Sequence, residues 1–204
     1  IANLIMRMYD VTSGKILIDG TDIREYKINS LRSQIGFVPQ DVFLFSETIT
    51  ENISFGLEKT DKTEATRFAN HASIAKEIES FPEGYDTLVG ERGVTLSGGQ
   101  KQRISIARSL IKKPNVLLLD DCLSAVDTST EKEIQRNLEE VLRNKTAIII
   151  THRIFSLIQF DNILVLDDGK IAEQGTHEKL LQKNGIYAEI YERQLTEQKA
   201  EQLA

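Results

Sequence analysis

Two short motifs have residues that could do chemistry together. Ser97-Gly98-Gly99-Gln100 places a hydroxyl and two glycines where a helical pattern opens, and sixteen residues past Gln100 the apolar run Val116-Leu117-Leu118-Leu119 ends in Asp120-Asp121. A glycine turn at a helix N-terminus offers an anion the backbone N–H groups and the positive end of the helix dipole, with no Cβ in the way. Two carboxylates at the end of a buried strand are suited to the metal end of a phosphate site. Each motif alone has a plainer use: the glycines as an ordinary helix N-cap, the carboxylates as a cap on the turn before the helix near Thr128–Thr130.

The elements that must carry these residues follow from periodicity. Residues 1–8 read as the end of a helix. Lys15-Ile16-Leu17-Ile18 reads as a short strand before the Asp19-Gly20 turn, and Ile35-Gly36-Phe37-Val38 as a second strand closed by Pro39. Asp61 and Glu64 have capping-box spacing, and Ala65, Phe68, Ala69, Ala72, Ala75 and Ile78 keep the 3.6 period, which predicts one amphipathic helix over 61–79. A helix opening at Gly98 or Gly99 runs to about Ile111, where Pro114 forces a break. Val116–Leu119 and Ala147–Ile150 are apolar at every position, the pattern of strands covered on both faces. A helix from about Thr130 to Arg143 separates them. Ile163–Leu166 and the residues after Asp168-Gly169 predict a hairpin. Helices from about His177 and Ile186 follow, and the last eight residues are expected to fray. Buried strands alternating with helices give an α/β fold with a mostly parallel sheet. Ligands on such sheets sit at the strands' carboxyl ends, where Asp120, Asp121 and His152 fall.

The composition suits one substantial core. The 204 residues carry a net charge of −6, which argues against nucleic acid as the main partner. One cysteine, Cys122, excludes an internal disulfide and reads as a packing residue. No apolar run approaches the roughly 20 residues that span a bilayer. The first residues, Ile1-Ala2-Asn3-Leu4-Ile5-Met6, lack the features of a signal peptide. The chain does not begin with Met and is expected to be part of something longer.

Nearly the whole chain resembles the nucleotide-binding domain of an ATP-binding cassette (ABC) exporter. Leu96-Ser97-Gly98-Gly99-Gln100, followed by Lys101-Gln102-Arg103 and Ile106-Ala107-Arg108, matches the signature motif, and Val116–Asp121 matches the Walker B strand. Gln40, in Phe37-Val38-Pro39-Gln40-Asp41, matches the Q-loop, and Phe45–Ile53 the exporter segment after it. Thr87-Leu88-Val89-Gly90-Glu91-Arg92-Gly93 matches the exporter X-loop, Ser124-Ala125-Val126-Asp127 the D-loop, and His152 the switch histidine. His71 and His177 keep local structural readings.

The resemblance implies a P-loop NTPase (RecA-like) core over 1–40 and 112–204, and the family's α-helical subdomain over 41–111. The family's N-terminal β-subdomain and Walker A strand are expected to be absent. It implies ATP and Mg²⁺ as ligands. Asp120 would hold the metal with Gln40, Asp121 would polarise the attacking water, and His152 would contact the γ-phosphate. Ser97, Gly98, Gly99, Gln100 and Asp127 would meet nucleotide across a head-to-tail dimer, homo- or heterodimeric. A groove lined partly by Phe43, Phe45 and the 61–79 helix would receive the transmembrane domain. The place of action would be the cytoplasmic face of the cell membrane.

Two departures accompany the match. No Gly-x-x-x-x-Gly-Lys-Ser/Thr loop occurs in the sequence, and the chain is expected to start just after that motif, so that alone it binds ATP poorly and hydrolyses none. Asp121 stands where the family usually has Glu, as in the degenerate site of heterodimeric exporters. A regulatory subunit that clamps ATP with slow or no hydrolysis is therefore the second reading. A soluble ABC protein of DNA repair or translation is the third, disfavoured by the X-loop, the acidic charge and the compact 41–95 segment.

Overall fold

The structure, a computed structural model, describes residues 1–90, 95–154 and 159–201, with the backbone alone at Thr128 and Glu201. The contacts divide the chain into two compact units, Ile1–Ile150 and Thr151–Ala204.

The first unit is built on a three-stranded parallel sheet. β3 (Ile35–Val38) pairs with β4 (Val116–Asp120), and β4 with β5 (Thr146–Ile150), in the order β3-β4-β5. An apolar central strand alternates its side chains between two cores. Leu117 and Leu119 enter the larger core, with Ile104, Ile106 and Leu110 of α6 (Gly98–Ile111), Ile53 of α3 (Ile49–Ser54), Phe68 of α4 (Lys62–His71) and Ile134 of α7 (Thr128–Val141). Leu118 enters a smaller core on the opposite face, with Ala2 of α1 (Ala2–Ile5), Met6, Ile23 and Leu31 of α2 (Ile28–Ser33). β4 is covered on both faces, as its composition requires. β5 is not: its Ala147–Ile150 stretch is half-buried, because this strand has a neighbour on one side only within the described sheet.

β3 can lie close to the helical layer because residue 36 has no side chain. A Cβ on Gly36 would sit 2.8 Å from Pro114 Cγ and 2.9 Å from the Ser109 carbonyl oxygen. The carbonyl is backbone of α6 and cannot swing away. Gly36→Ala is expected to destabilise the protein by about 1–3 kcal/mol through this overlap, read as a lowered midpoint in urea unfolding.

The helix expected over 61–79 is two helices, α4 and α5 (Ala75–Glu79). Both bury the anticipated apolar residues, so the periodicity survives the break. Ser73 adopts φ +52°, and its backbone and side chain are taken by other elements: its carbonyl accepts from Arg103 Nη1 (2.8 Å) and its Oγ from Asn137 Nδ2 (3.1 Å). These long-range hydrogen bonds reward the interruption.

Two hairpins form where sequence places them. Asp19-Gly20 joins β1 (Leu17–Ile18) to β2 (Thr21–Asp22), and Asp168-Gly169 joins β6 (Ile163–Asp167) to β7 (Lys170–Gly175). All four turn residues have positive φ, the twist that suits two-residue hairpin connections.

The second unit also contains α8 (His177–Lys183) and α9 (Ile186–Glu201). Its core is Ile154, Ile163, Leu180 and Tyr187. Glu173 of β7 caps α9 by accepting the N–H groups of Ile186 and Tyr187, each at 3.0 Å. The fraying expected over the last eight residues does not begin at their first member, since α9 continues to Glu201. Among the described residues no helix is long and apolar enough to cross a membrane.

Candidate active site

Asp120 closes β4 and pairs in register with Ile150 of β5. Asp121 follows with φ +45°, its N–H donating to the Ile150 carbonyl (2.7 Å) and its carbonyl accepting from Ser124 Oγ (3.0 Å). Left-handed backbone is tolerated better by Asp than by most residues with a Cβ. Gln40 is exposed beyond β3. Gln40 and Asp121 each lie two residues past the last β3–β4 pair, Val38 with Leu119, so both are delivered to the same carboxyl edge of the sheet.

Oxygen-only ligands suit Mg²⁺, which keeps several waters and needs only one or two carboxylates when phosphates complete its shell. Asp120 and Asp121 are partly exposed at a strand end, with the Gln40 amide beyond the adjacent strand, and they fit that requirement. Among the described residues no group of three or more His, Cys, Asp or Glu is assembled to hold an ion alone.

Cys122, next to the carboxylates, is turned into the core at 2% exposure. Burial pushes its thiol up to about 12. Its thiol stays protonated at neutral pH, which suits a packing residue.

The signature segment is a fully formed helix start. Ser97 is the N-cap of α6: its Oγ accepts from Gln100 N–H (3.2 Å), and Gln100 Oε1 accepts from Ser97 N–H (2.9 Å). Such a box satisfies two end groups reciprocally and leaves the first-turn N–H groups of Gly98 and Gly99 for a ligand. The Ser97 hydroxyl remains a donor, because its hydrogen bond to Gln100 uses a lone pair.

Gln100 is occupied at both ends of its side chain, since Nε2 donates to Glu77 Oε2 (3.0 Å). Glu77 also pairs with Arg103 Nη1 at 2.5 Å, while Arg103 Nε donates to the Gly99 carbonyl (3.2 Å). Burial opposes ionisation of Glu77, but the hydrogen bonds from Arg103 and Gln100 outweigh it and lower its pKa. The signature-motif resemblance had marked Gln100 and Arg103 but not Glu77, whose contacts are visible only when α5 meets α6.

Signature and D-loop fit together through Gly99. A Cβ there would lie 2.9 Å from the Ala125 carbonyl oxygen, and the Ala125 N–H donates to Gln102 Oε1 (3.2 Å). Asp127 caps α7, accepting from Ser129 N–H (3.1 Å) and Thr130 N–H (3.0 Å). Hydrogen bonds from Ser129 and Thr130 hold its carboxyl well below the usual range.

Arg108, on the far half of α6, braces the segment after Gln40. It donates to the Asn52 carbonyl (2.7 Å), Asn52 Oδ1 (2.8 Å) and the Phe43 carbonyl (2.8 Å). Its guanidinium stands 5.5 Å from the Phe45 ring centre and 5.8 Å from that of Phe55. Phe45 packs against Phe43 edge-on and against Phe55 in a stack. Phe43 and Phe55 are each more than half exposed and form an apolar surface beside the Gln40 loop.

In the second unit, His152 is exposed one residue into the turn after Thr151. Its carbonyl accepts from Gln194 Nε2 (2.6 Å), and Arg153 N–H donates to Thr151 Oγ1 (3.0 Å). His177 Nδ1 shares a hydrogen bond with the Tyr187 hydroxyl (2.8 Å), the local role expected of it. Glu91, Arg92 and Gly93 of the X-loop lie outside the described residues.

Residues 1–124 match the family model of the ABC transporter domain. The chain belongs to the ABC transporter family. It is 46% identical over 200 residues to heavy metal tolerance factor 1 of Caenorhabditis elegans, covering 98% of this chain and 25% of that protein. It is 48% identical over 197 residues to the ATM1-type heavy metal exporter of Novosphingobium aromaticivorans, covering 97% of this chain and 32% of the exporter. The solved structure of a bacterial Atm1-family ABC exporter with ATP bound superposes with a TM-score of 0.92 at 48% identity, over 95% of this chain and 34% of that one. The chain thus spans about a quarter to a third of these relatives. The α/β fold with a parallel sheet is that of a P-loop NTPase ABC domain.

Proposed function

We propose that this chain is the ATP-binding and ATP-hydrolysing part of an Atm1-type ABC exporter, working as a dimer at the cytoplasmic face of a membrane. The observation that carries the reading is the pairing of two half-sites: carboxylates at the sheet edge and a capped glycine helix start braced against the D-loop. ATP held between two such domains would meet Asp120, Asp121, Gln40 and His152 from one, and Ser97, Gly98 and Gly99 from the other. Asp127 would stabilise the D-loop turn between them, and Gln100 would hold the helix start in shape.

Each residue has a defined task. Asp120 and Gln40 would hold Mg²⁺, which when bound would neutralise charge on the phosphoryl oxygens. Asp121 would accept a hydrogen bond from the attacking water and aim its lone pair in line with the scissile bond. His152 would donate to the γ-phosphoryl oxygens. The first-turn N–H groups of α6 and the Ser97 hydroxyl would bind the same phosphate from the opposite subunit.

Residues 1–40 with 112–204 would form the ATPase core, and 41–111 the helical subdomain. The transmembrane partner would dock on the surface of Phe43, Phe45 and Phe55, with α4 alongside. Arg108 ties that surface to the signature helix. The relatives' names point toward heavy-metal or multidrug export, a choice that the transmembrane partner would make. Expressed alone, the 204 residues contain no Gly-Lys-Ser/Thr phosphate loop and would bind ATP weakly without turning it over.

In the intact protein, Mg²⁺-dependent ATP hydrolysis is expected, with Asp120→Asn lowering it by on the order of 10²-fold or more. Hydrolysis indifferent to Asp120→Asn would overturn the assignment. Asp121 supports a second reading, a regulatory domain that clamps ATP. ATP binding without measurable wild-type turnover would select it.

A further inference from the structure

We propose that Gln194 of α9 is a positioning residue for His152, fixing the backbone that presents the imidazole to the γ-phosphate. The inference rests on the role given to His152 above and extends it to an element with no chemistry of its own.

A side-chain amide matches two backbone groups in one plane, since it carries a donor and an acceptor a fixed distance apart. Gln194 uses both: Nε2 donates to the His152 carbonyl (2.6 Å), and Oε1 accepts from Ile154 N–H (3.0 Å). The residue between, Arg153, has its N–H held by Thr151 Oγ1 (3.0 Å). Successive backbone groups from His152 to Ile154 are thus tied down in what is otherwise a loop. Ile154 is itself anchored, 5% exposed in the core with Ile163, Leu180 and Tyr187.

The other end of the clamp is equally fixed. Gln194 lies seven residues after Tyr187, four after Ile190 and three after Tyr191, hence on the same face of α9. Those three pack in the core that holds Ile154. A glutamine is therefore the polar member of an apolar helix face, and both its polar ends are spent on the turn carrying the histidine. The His152 side chain stays exposed while its backbone is held, the arrangement a residue needs if it is to reach a phosphate without searching for it. Displacing α9 would displace His152 with it.

The test is steady-state ATP hydrolysis by the intact exporter. Gln194→Ala removes both hydrogen bonds and is expected to lower kcat about 10–100-fold, with KM for ATP at the wild-type value, because nucleotide contacts elsewhere are untouched. Gln194→Glu keeps the length and the acceptor for Ile154 N–H, but sets a carboxylate against the His152 carbonyl. Its deficit should narrow as pH falls, because the protonated carboxyl regains an O–H donor; wild type measured over the same range provides the ratio. If Gln194→Ala unfolds, the Gln194→Glu pH profile decides. Wild-type kcat in Gln194→Ala, or a Gln194→Glu deficit that does not change with pH, overturns the proposal. His152→Ala separates the two layers: full activity there removes the role of His152 and this inference with it, whereas a dead His152→Ala beside fully active Gln194 variants removes this inference alone.

Discussion

Asp121→Glu is expected to raise ATP turnover in the intact protein by on the order of 10²-fold. In the role proposed for Asp121, a carboxylate one methylene short would leave the water about 1 Å from its in-line position, and a misplacement of that size costs roughly that factor. The structure makes the substitution clean to interpret. The Asp121 backbone is held at its N–H by Ile150 and at its carbonyl by Ser124, so a longer side chain advances the carboxylate without moving the chain. The backbone also sets an opposing cost. At φ +45°, Asp is better tolerated than Glu, so Asp121→Glu should lose a little stability, less than about 1 kcal/mol, while gaining rate. Single-turnover hydrolysis measures the gain. Unchanged turnover would remove the argument that this site is slow because its acid is short.

Arg108→Ala should destabilise the protein by about 3 kcal/mol. Burial lowers the guanidinium to about 10, so it stays charged at neutral pH at a desolvation cost on the order of 3 kcal/mol. Against this stand three hydrogen bonds from a charged donor, each contributing about 1.5–3 kcal/mol, and the faces of Phe45 and Phe55. The balance favours the buried arginine. Deletion also deprives Asn52 of a partner for its carbonyl and one for Oδ1, and Asn52 organises the loop through Phe45, Glu47 and Thr48. Arg108→Lys keeps the charge but cannot make the planar fork or the stacking, and should recover less than half the loss. Thermal unfolding of both variants tests this. Equal stability of Arg108→Lys and wild type would reduce the arginine to a point charge.

Periodicity located the elements because each buries a face or a stripe, and burial selects residue type position by position. The central strand was legible from Val116–Leu119, whose every residue must enter one of two cores. The hairpins were legible from Asp19-Gly20 and Asp168-Gly169, since few residue pairs tolerate that turn. The site motifs stood out because the roles proposed for them, a helix start facing phosphate and a strand end facing metal, would demand glycine and aspartate locally, whatever the rest of the chain does.

What sequence could not supply lay in interactions between distant residues. The 61–79 pattern is unbroken, yet α4 ends at His71 and the break holds Ser73, whose carbonyl and hydroxyl are bound by Arg103 and Asn137, far along the chain. Ala147–Ile150 reads as doubly covered but is half-buried, since apolar composition does not reveal how many neighbours a strand will have. Glu77 and Gln194 carry no motif, and the match over Phe45–Ile53 did not show what Asn52 binds. A glutamine on the Tyr187–Ile190–Tyr191 face of α9 was a local anomaly visible in the sequence, but its partner was not. Residue types and short spacings determined which family this chain belongs to and pointed to the chemistry proposed for it. Only the tertiary structure decided which ordinary polar side chains hold that chemistry in place, because a hydrogen bond depends on ångström geometry between segments that sequence separation does not constrain.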